Sequence, residues 1–370
     1  MTHQPLNVLF VDDEPLVLRS IERVLRTRRV SWQVRFANTA DEALQLLEAG
    51  PFDVIVSDLR MPGVDGAQLL REVRSRHPEV ARLVLSGQAA TSEGLEVMRV
   101  AHQCLAKPYD LATLRRMVEG LASARRRVSE AIFRAVSQIS SLPSPTPVYQ
   151  RLRSALSAGT LVEAAAAVET DPALTAKILQ LNTSAVLGVE HELVTVADAL
   201  PRLDADLRAA FDLGEEICRP LDEAASEACE LRVWYEHSAL VARVARAIAP
   251  VGMRDKAFVA GILHDVGYLV EAALPDDLHE EPLDHGQLGA CLLELWGIDE
   301  ELVAAVAGHH DASGASTPAA LTATLYLAEY VVAESSQRCC AAARHPSAPP
   351  ENAAELARAR AILRDLTAER

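Results

Sequence analysis

Aromatic residues make up only 4% of this 370-residue chain, and its basic residues number 36 against 52 acidic ones. The net charge of −16 excludes a protein whose affinity rests mainly on neutralising phosphates, so no direct nucleic-acid contact is expected. Cysteine is sparse: Cys104, Cys218, Cys229, Cys291, Cys339 and Cys340 form no C-x-x-C pair and no zinc-ribbon spacing. They read as scattered reduced thiols of a cytoplasmic protein. No segment offers the ~20 uncharged apolar residues of a membrane helix, so no membrane partner is expected. The N-terminal apolar run Val8–Val11 is too short for a signal peptide and ends in acids.

What is present is enough apolar material, 49% of residues, for more than one core. At roughly 100–200 residues per domain, two domains are expected. Abundant alanine with few aromatics favours close-packed helices.

The first third alternates short apolar runs with helical patterns. Asn7–Val11, Trp32–Phe36, Val54–Val56, Leu83–Leu85 and Gln103–Ala106 read as strands. Between them, Pro15 opens a helix, Thr39 caps one reaching Ala49, and Gly66–Arg76 and Thr91–Ala101 give two more. Five such βα units predict a doubly wound parallel sheet, with function at the carboxyl ends of the strands. At those ends stand Asp12, Asp13, Asp58, Ser86 and Lys107. Clustered carboxylates call for a cation, and hard oxygen donors suit Mg²⁺. A carboxylate can take up a phosphoryl group, with a lysine and a hydroxyl to steady its oxygens.

From Asp110 a helical pattern runs to about Ile139, its apolar residues spaced like a heptad seam but interrupted at Arg125–Arg127. It reads either as a signalling helix that forms a homodimer or as a last helix running into a linker. Three prolines in Ser141–Pro147 mark a boundary. Beyond it the pattern is all helical, and a charged helix over Glu351–Glu369 reads as a loosely attached tail.

The helical part carries His237, His264-Asp265, His285, and His309-His310. Imidazoles with a carboxylate suit Mn, Fe or Zn. Adjacent helical residues point about 100° apart, so His264 and Asp265 can share a metal only at a helix end or bend, which Gly267 is expected to supply. Such a site could activate water for phosphoester hydrolysis.

Two resemblances emerge. Val8-Leu9-Phe10-Val11-Asp12-Asp13-Glu14, Asp58-Leu59-Arg60-Met61-Pro62-Gly63, Leu85-Ser86-Gly87 and Ala106-Lys107-Pro108 resemble the response-regulator receiver family. The resemblance implies that a histidine kinase phosphorylates Asp58. It implies that Asp12, Asp13, Asp58 and the Arg60 carbonyl hold Mg²⁺, and that Ser86 and Lys107 read the phosphoryl group. One departure is Cys104, where that family usually has an aromatic switch residue.

Ala260–Gly267, with His264-Asp265 at its heart, resembles the HD-superfamily hallmark, and Leu142-Pro143, Thr170–Leu174, His285–Ala290 and Glu294–Gly297 resemble the HDOD branch. This implies an output domain acting in signalling, often through a protein partner, here unknown. His237, His264 and Asp265 match superfamily ligands, and Glu329 stands where a closing aspartate is expected. His285, His309 and His310 align with the extra ligands of HD-GYP phosphodiesterases. That group's Gly-Tyr-Pro is missing, and Tyr268 replaces its lysine. The expected division is a receiver over 1–122, a helical linker over 123–141, an HDOD domain over 142–335, and a loop with a C-terminal helix over 336–370. The alternative to a signalling module is a metal-dependent phosphohydrolase, acting on a cyclic dinucleotide or another nucleotide.

Overall fold

The computed structural model describes residues 5–28, 30–87, 97–183, 195–202, 219–221, 231–279, 283–310, 320–335 and 352–368. Five parallel strands, β1 (Asn7–Val11), β2 (Gln33–Ala37), β3 (Val54–Asp58), β4 (Ala81–Ser86) and β5 (Gln103–Ala106), form a sheet of order β2-β1-β3-β4-β5. β3 and β4 are buried along their whole length, which is why they read as continuous apolar runs. Helices α1 (Pro15–Thr27), α2 (Ala40–Ala49) and α3 (Gly66–Arg76) cover the sheet. As expected, Thr39 caps α2, its hydroxyl accepting from the Glu42 amide. Of the expected helix Thr91–Ala101, residues 91–96 lie outside the described residues, and 97–100 are helical.

The long helix expected from Asp110 to Ile139 is two helices. Asp110 caps α4 (Leu111–Arg125), and Ser129 caps α5 (Glu130–Val136), its hydroxyl accepting from the Ile132 amide. A serine at N-cap satisfies an orphan amide that a continuing helix would not expose. The interrupting arginines are spent on ion pairs: Arg125 with Asp53 at 3.0 Å and Arg127 with Glu294 at 2.5 Å. The apolar seam is used inside the chain, with Leu114, Val118, Leu121, Ile132 and Phe133 all buried. It is therefore not a free dimerisation surface.

The Ser141–Pro147 stretch is no bare linker. Pro143–Pro145 forms β6, paired in parallel with β7 (Arg219–Leu221). Prolines are tolerated because this is a two-stranded ribbon made of edges. The rest is helical: α6 (Thr146–Ala158), α7 (Leu161–Val168), α8 (Pro172–Thr183), α9 (Val196–Arg202), α10 (Leu231–Ile248), α11 (Arg254–Leu263), α12 (Val266–Glu271), α13 (His285–Leu295), α14 (Glu300–Ala307), α15 (Ala320–Ser335) and α16 (Ala353–Ala368). The last is not a loose tail. It buries Leu356, Ala359 and Leu363, and Arg360 donates twice to Glu334 at 2.6 and 2.7 Å. No helix among the described residues is long and apolar enough to cross a membrane.

Asp171 shows how α8 starts. Its carboxylate accepts from the Leu174 amide at 3.0 Å and from Ser144 Oγ at 2.5 Å. Burial, outweighing these bonds, pushes its pKa up to about 6. The folded state therefore keeps a proton that the unfolded chain releases near pH 4, so this group's contribution to stability falls as pH rises from about 4 to about 6. Urea midpoints of wild type and Asp171→Asn measured across that window should show this fall in wild type only. Parallel curves would refute it.

Candidate functional sites

Parallel strands bring the ends of β1, β3, β4 and β5 to one edge of the sheet, and all five expected residues meet there. Asp12, Asp58 and Ser86 are buried, while Asp13 and Lys107 are half-buried. Lys107 Nζ donates to Asp12 Oδ2 at 3.2 Å and also to Asp58 Oδ1. The Arg60 amide donates to Asp58 Oδ2 at 3.1 Å, and the Glu14 amide to Asp12 Oδ1 at 2.9 Å. Burial opposes the Lys107 charge, but Asp58 and Asp12 outweigh it and raise the lysine pKa. The ammonium stays charged beside Asp58. The oxygen-only donor set of Asp12, Asp13 and Asp58 fits a hard dication such as Mg²⁺.

Gly66 opens α3 directly under this pocket. A Cβ there would lie 2.0 Å from the Asp58 carbonyl oxygen and 2.9 Å from Leu59 Cα. Gly66→Ala must push backbone apart, at about 1–3 kcal/mol. It is expected to slow phosphoryl uptake from acetyl phosphate as well as to lower the urea midpoint. Wild-type uptake in the alanine variant would show that the loop has slack.

Cys104 is buried against Val84, Met98 and Val100, and burial pushes its thiol up to about 12. It is a packing residue here.

The second site lies among the helices. His264 ends α11 and Asp265 caps α12, so the chain breaks between two helices at this pair. That break, not Gly267, allows both side chains to face one point. Gly267 instead lets α12 lie against the start of α13, because a Cβ there would lie 1.8 Å from the His285 carbonyl oxygen. His237 comes from α10, Glu329 from α15, and His309 and His310 follow α14.

All seven expected residues converge, and they fall into two sets. His237 Nε2 and His264 Nε2 lie 3.0 and 3.1 Å from Glu329 Oε2, and 3.7 and 3.2 Å from Asp265 Oδ2. The extra methylene of Glu329 therefore does not carry its carboxylate out of the site. On the other side, His285 Nε2 and His309 Nε2 lie 3.4 and 3.6 Å from Asp265 Oδ1, and 3.2 Å from each other. Ligand atoms of His285, His309 and His310 are within 4.8 Å of one another, as are those of His237, His264 and Asp265. Asp265 thus turns one oxygen to each set.

Burial opposes a charge on His264, but Asp265 and Glu329 outweigh it and hold the imidazole well above its ordinary pKa. That cation, against burial, keeps Asp265 well below the usual carboxylate range, and with His237 does the same for Glu329. Burial lowers His309, and burial with His309 and His285 takes His310 down to about 3. His264 Nε2 and His310 Nε2 are buried without a hydrogen-bond partner. Unsatisfied imidazole nitrogens beside carboxylates are the donor set of a borderline transition metal, so Mn, Fe or Zn fits both sets.

The sequence reading missed the aromatic wall. Tyr268 stacks on His285 with ring centroids 4.1 Å apart, and Trp234 stacks on Tyr268 at 5.1 Å. The position expected to supply a phosphate-binding lysine instead pins an imidazole. The Asp311–Gly314 stretch that stands in place of Gly-Tyr-Pro lies outside the described residues, as do Ser184 and Ala185 of Asn182-Thr183-Ser184-Ala185, a stretch that also resembles the HDOD branch. Asn182 itself is buried on α8.

Residues 8–119 match the response regulator receiver domain, and residues 142–312 match the HDOD domain. Over 111 residues the chain is 38% identical to the hydrogenase transcriptional regulatory protein HoxA of Cupriavidus necator, covering 30% of this chain and 22% of that protein. It is 32% identical over 111 residues to the response regulator protein PilR of Pseudomonas aeruginosa, covering 30% and 24%. The chain thus spans under a quarter of the length of these curated relatives. Among solved structures, the signal receiver domain of an HD domain-containing protein from Pseudomonas fluorescens Pf-5 is 26% identical, covering 32% of this chain and 99% of that one, with a TM-score of 0.30.

Proposed function

We propose that this chain, in which a match to the response regulator receiver domain is followed by a match to the HDOD domain, is a response regulator, that Asp58 is its phosphoacceptor and that the phosphorylated form drives a signalling output through the helical domain. The observation that carries this is the hydrogen bonding of Lys107 to both Asp12 and Asp58 in a pocket closed by the Arg60 amide.

In this reading a carboxylate oxygen of Asp58 forms a bond to phosphorus as the bond from phosphorus to a kinase histidine nitrogen breaks. Mg²⁺, when bound, offsets charge on the transferring oxygens. Lys107 supplies a fixed positive charge on the other side, and Ser86 a hydroxyl donor. The receiver occupies about 1–122, a helical linker 123–141, the HDOD domain 142–335 and a final helical segment 336–370. The output is a contact made or released with a protein partner, in a cytoplasmic setting. Incubation with acetyl phosphate and Mg²⁺ should add one phosphoryl mass to the intact protein and none to Asp58→Asn. Equal uptake by the variant would refute the assignment.

A second reading is favoured by the convergence of His237, His264, Asp265, His285, His309, His310 and Glu329. The output domain in this reading holds transition metal and hydrolyses a phosphoester under receiver control. When bound, metal would lower the pKa of water for attack on phosphorus. The chain's own part is to fix the ligands, with Glu329 and Asp265 setting carboxylate oxygens beside His264. Tyr268 argues for a substrate held without a lysine at that position.

A further inference from the structure

Helix α13 joins the helical site at one end to the receiver sheet at the other. Its first residue is His285, whose Nε2 lies 3.4 Å from Asp265 Oδ1. Its other end is held by the receiver. The Gln103 side-chain amide donates to the Glu294 carbonyl at 3.0 Å and to the Leu295 carbonyl at 3.2 Å. These are among the last carbonyls of the helix, which have no full set of intrahelical donors. Beside them Arg127 Nε donates to Glu294 Oε2 at 2.5 Å, and Cys291 Sγ contacts the Ala124 carbonyl at 3.4 Å.

Gln103 opens β5, and Lys107 follows that strand's last residue. The two ends are about 13 Å apart at 3.3 Å per residue. Lys107 Nζ is the cation on Asp58, so a phosphoryl group there adds charge and three acceptor oxygens where this lysine is held. The far end of α13 has little slack, because Gly267 lies directly against the His285 carbonyl. Eleven residues of α-helix, about 16 Å, connect the two ends as one rigid piece.

We propose that α13 is the coupling element of this protein, with Gln103 and Arg127 transmitting the state of Asp58 to its C-terminal end and hence to His285 and Asp265. The inference rests on the assignment of Asp58 as phosphoacceptor.

The test is hydrogen exchange on the full chain with and without beryllofluoride and Mg²⁺, with fluorine NMR recording occupancy of Asp58. In wild type, exchange of the 285–295 amides should change at least about fivefold, the lower end of ordinary coupling strengths. The change should be absent from α16, which packs on α10 and α15. In the Gln103→Ala, Arg127→Ala double variant it should fall below about twofold while the fluorine signal persists. Should that variant unfold, Arg127→Ala alone is measured and should reduce the change. An occupied Asp58 with no response in α13 overturns the proposal, and so does a variant that responds like wild type. If wild type shows no fluorine signal at all, the phosphoacceptor assignment fails, and the coupling fails with it.

Discussion

Asp265→Ala is expected to strip transition metal from both halves of the helical site. The reason is geometric. Oδ2 faces His237 and His264 at 3.7 and 3.2 Å, and Oδ1 faces His285 and His309 at 3.4 and 3.6 Å. Each half then has Asp265 as a shared oxygen donor, and removal leaves the second set with imidazoles alone. Glu329 Oε2 lies beside His237 and His264. Even outer partners of a ligand are worth about 10–100-fold in metal affinity, so loss of a shared ligand should cost each half at least about 100-fold. His310→Ala should behave differently, because among the described residues His310 groups with His285 and His309. Metal analysis of protein purified without chelators should give two ions per chain for wild type, one for His310→Ala and none for Asp265→Ala. Metal-free wild type would reject the metal reading and leave the HDOD domain as a binding module. Equal loss in both variants would reject the division into two sets while keeping a metal site.

The receiver was legible because its chemistry is ordered along the chain as its strands are. Each functional residue ends or follows a buried apolar run, and parallel topology does the rest. The helical site was legible as a set of residues but not as an arrangement. Nothing in the spacing of His237, His264 and His285 tells that one carboxylate faces two sets. That follows from where α10, α13 and α15 pack. The split of the Asp110–Ile139 helix was marked by Ser129 before Glu130, an N-cap signal lost inside an otherwise continuous period of three and four. The β6–β7 pairing joins segments more than 70 residues apart, and no local pattern announces it. The docking of α16 was likewise hidden, since its three buried residues are a thin stripe in a charged helix. Gln103 and Arg127 gave only the signal of polar residues beside apolar runs.

Arg82→Ala is expected to be the most destabilising single change at the joint between the domains. Arg82 stands inside β4 with only 1% of its surface exposed. Its guanidinium donates to the carbonyls of Val100 at 2.6 Å, Val80 at 3.2 Å and Ser137 at 2.6 Å. His102 shares the Ser137 carbonyl, its Nε2 at 3.1 Å, while its Nδ1 accepts the Arg82 amide at 3.0 Å. Burial, helped by Arg74, pulls the Arg82 pKa down to about 9, so the side chain remains charged at neutral pH. Neutral carbonyl dipoles, and no carboxylate among these bonds, hold the cation. Ser137 caps the C-terminal end of α5, where the helix dipole favours positive charge. Truncation to alanine takes the donor from the Val100 and Val80 carbonyls and leaves the Ser137 carbonyl with His102 alone; an orphaned carbonyl costs about 1–3 kcal/mol, and a cavity opens besides. A loss of about 4 kcal/mol or more is expected from urea denaturation. Arg82→Lys should recover only part of it, because a point ammonium cannot reach three divergent carbonyls as a planar fork does. Since Ser137 belongs to the segment between the domains, both variants should also be cut faster by protease near Arg126–Ser129. A loss below about 1 kcal/mol in the alanine variant would mean that desolvation of the cation cancels its bonds.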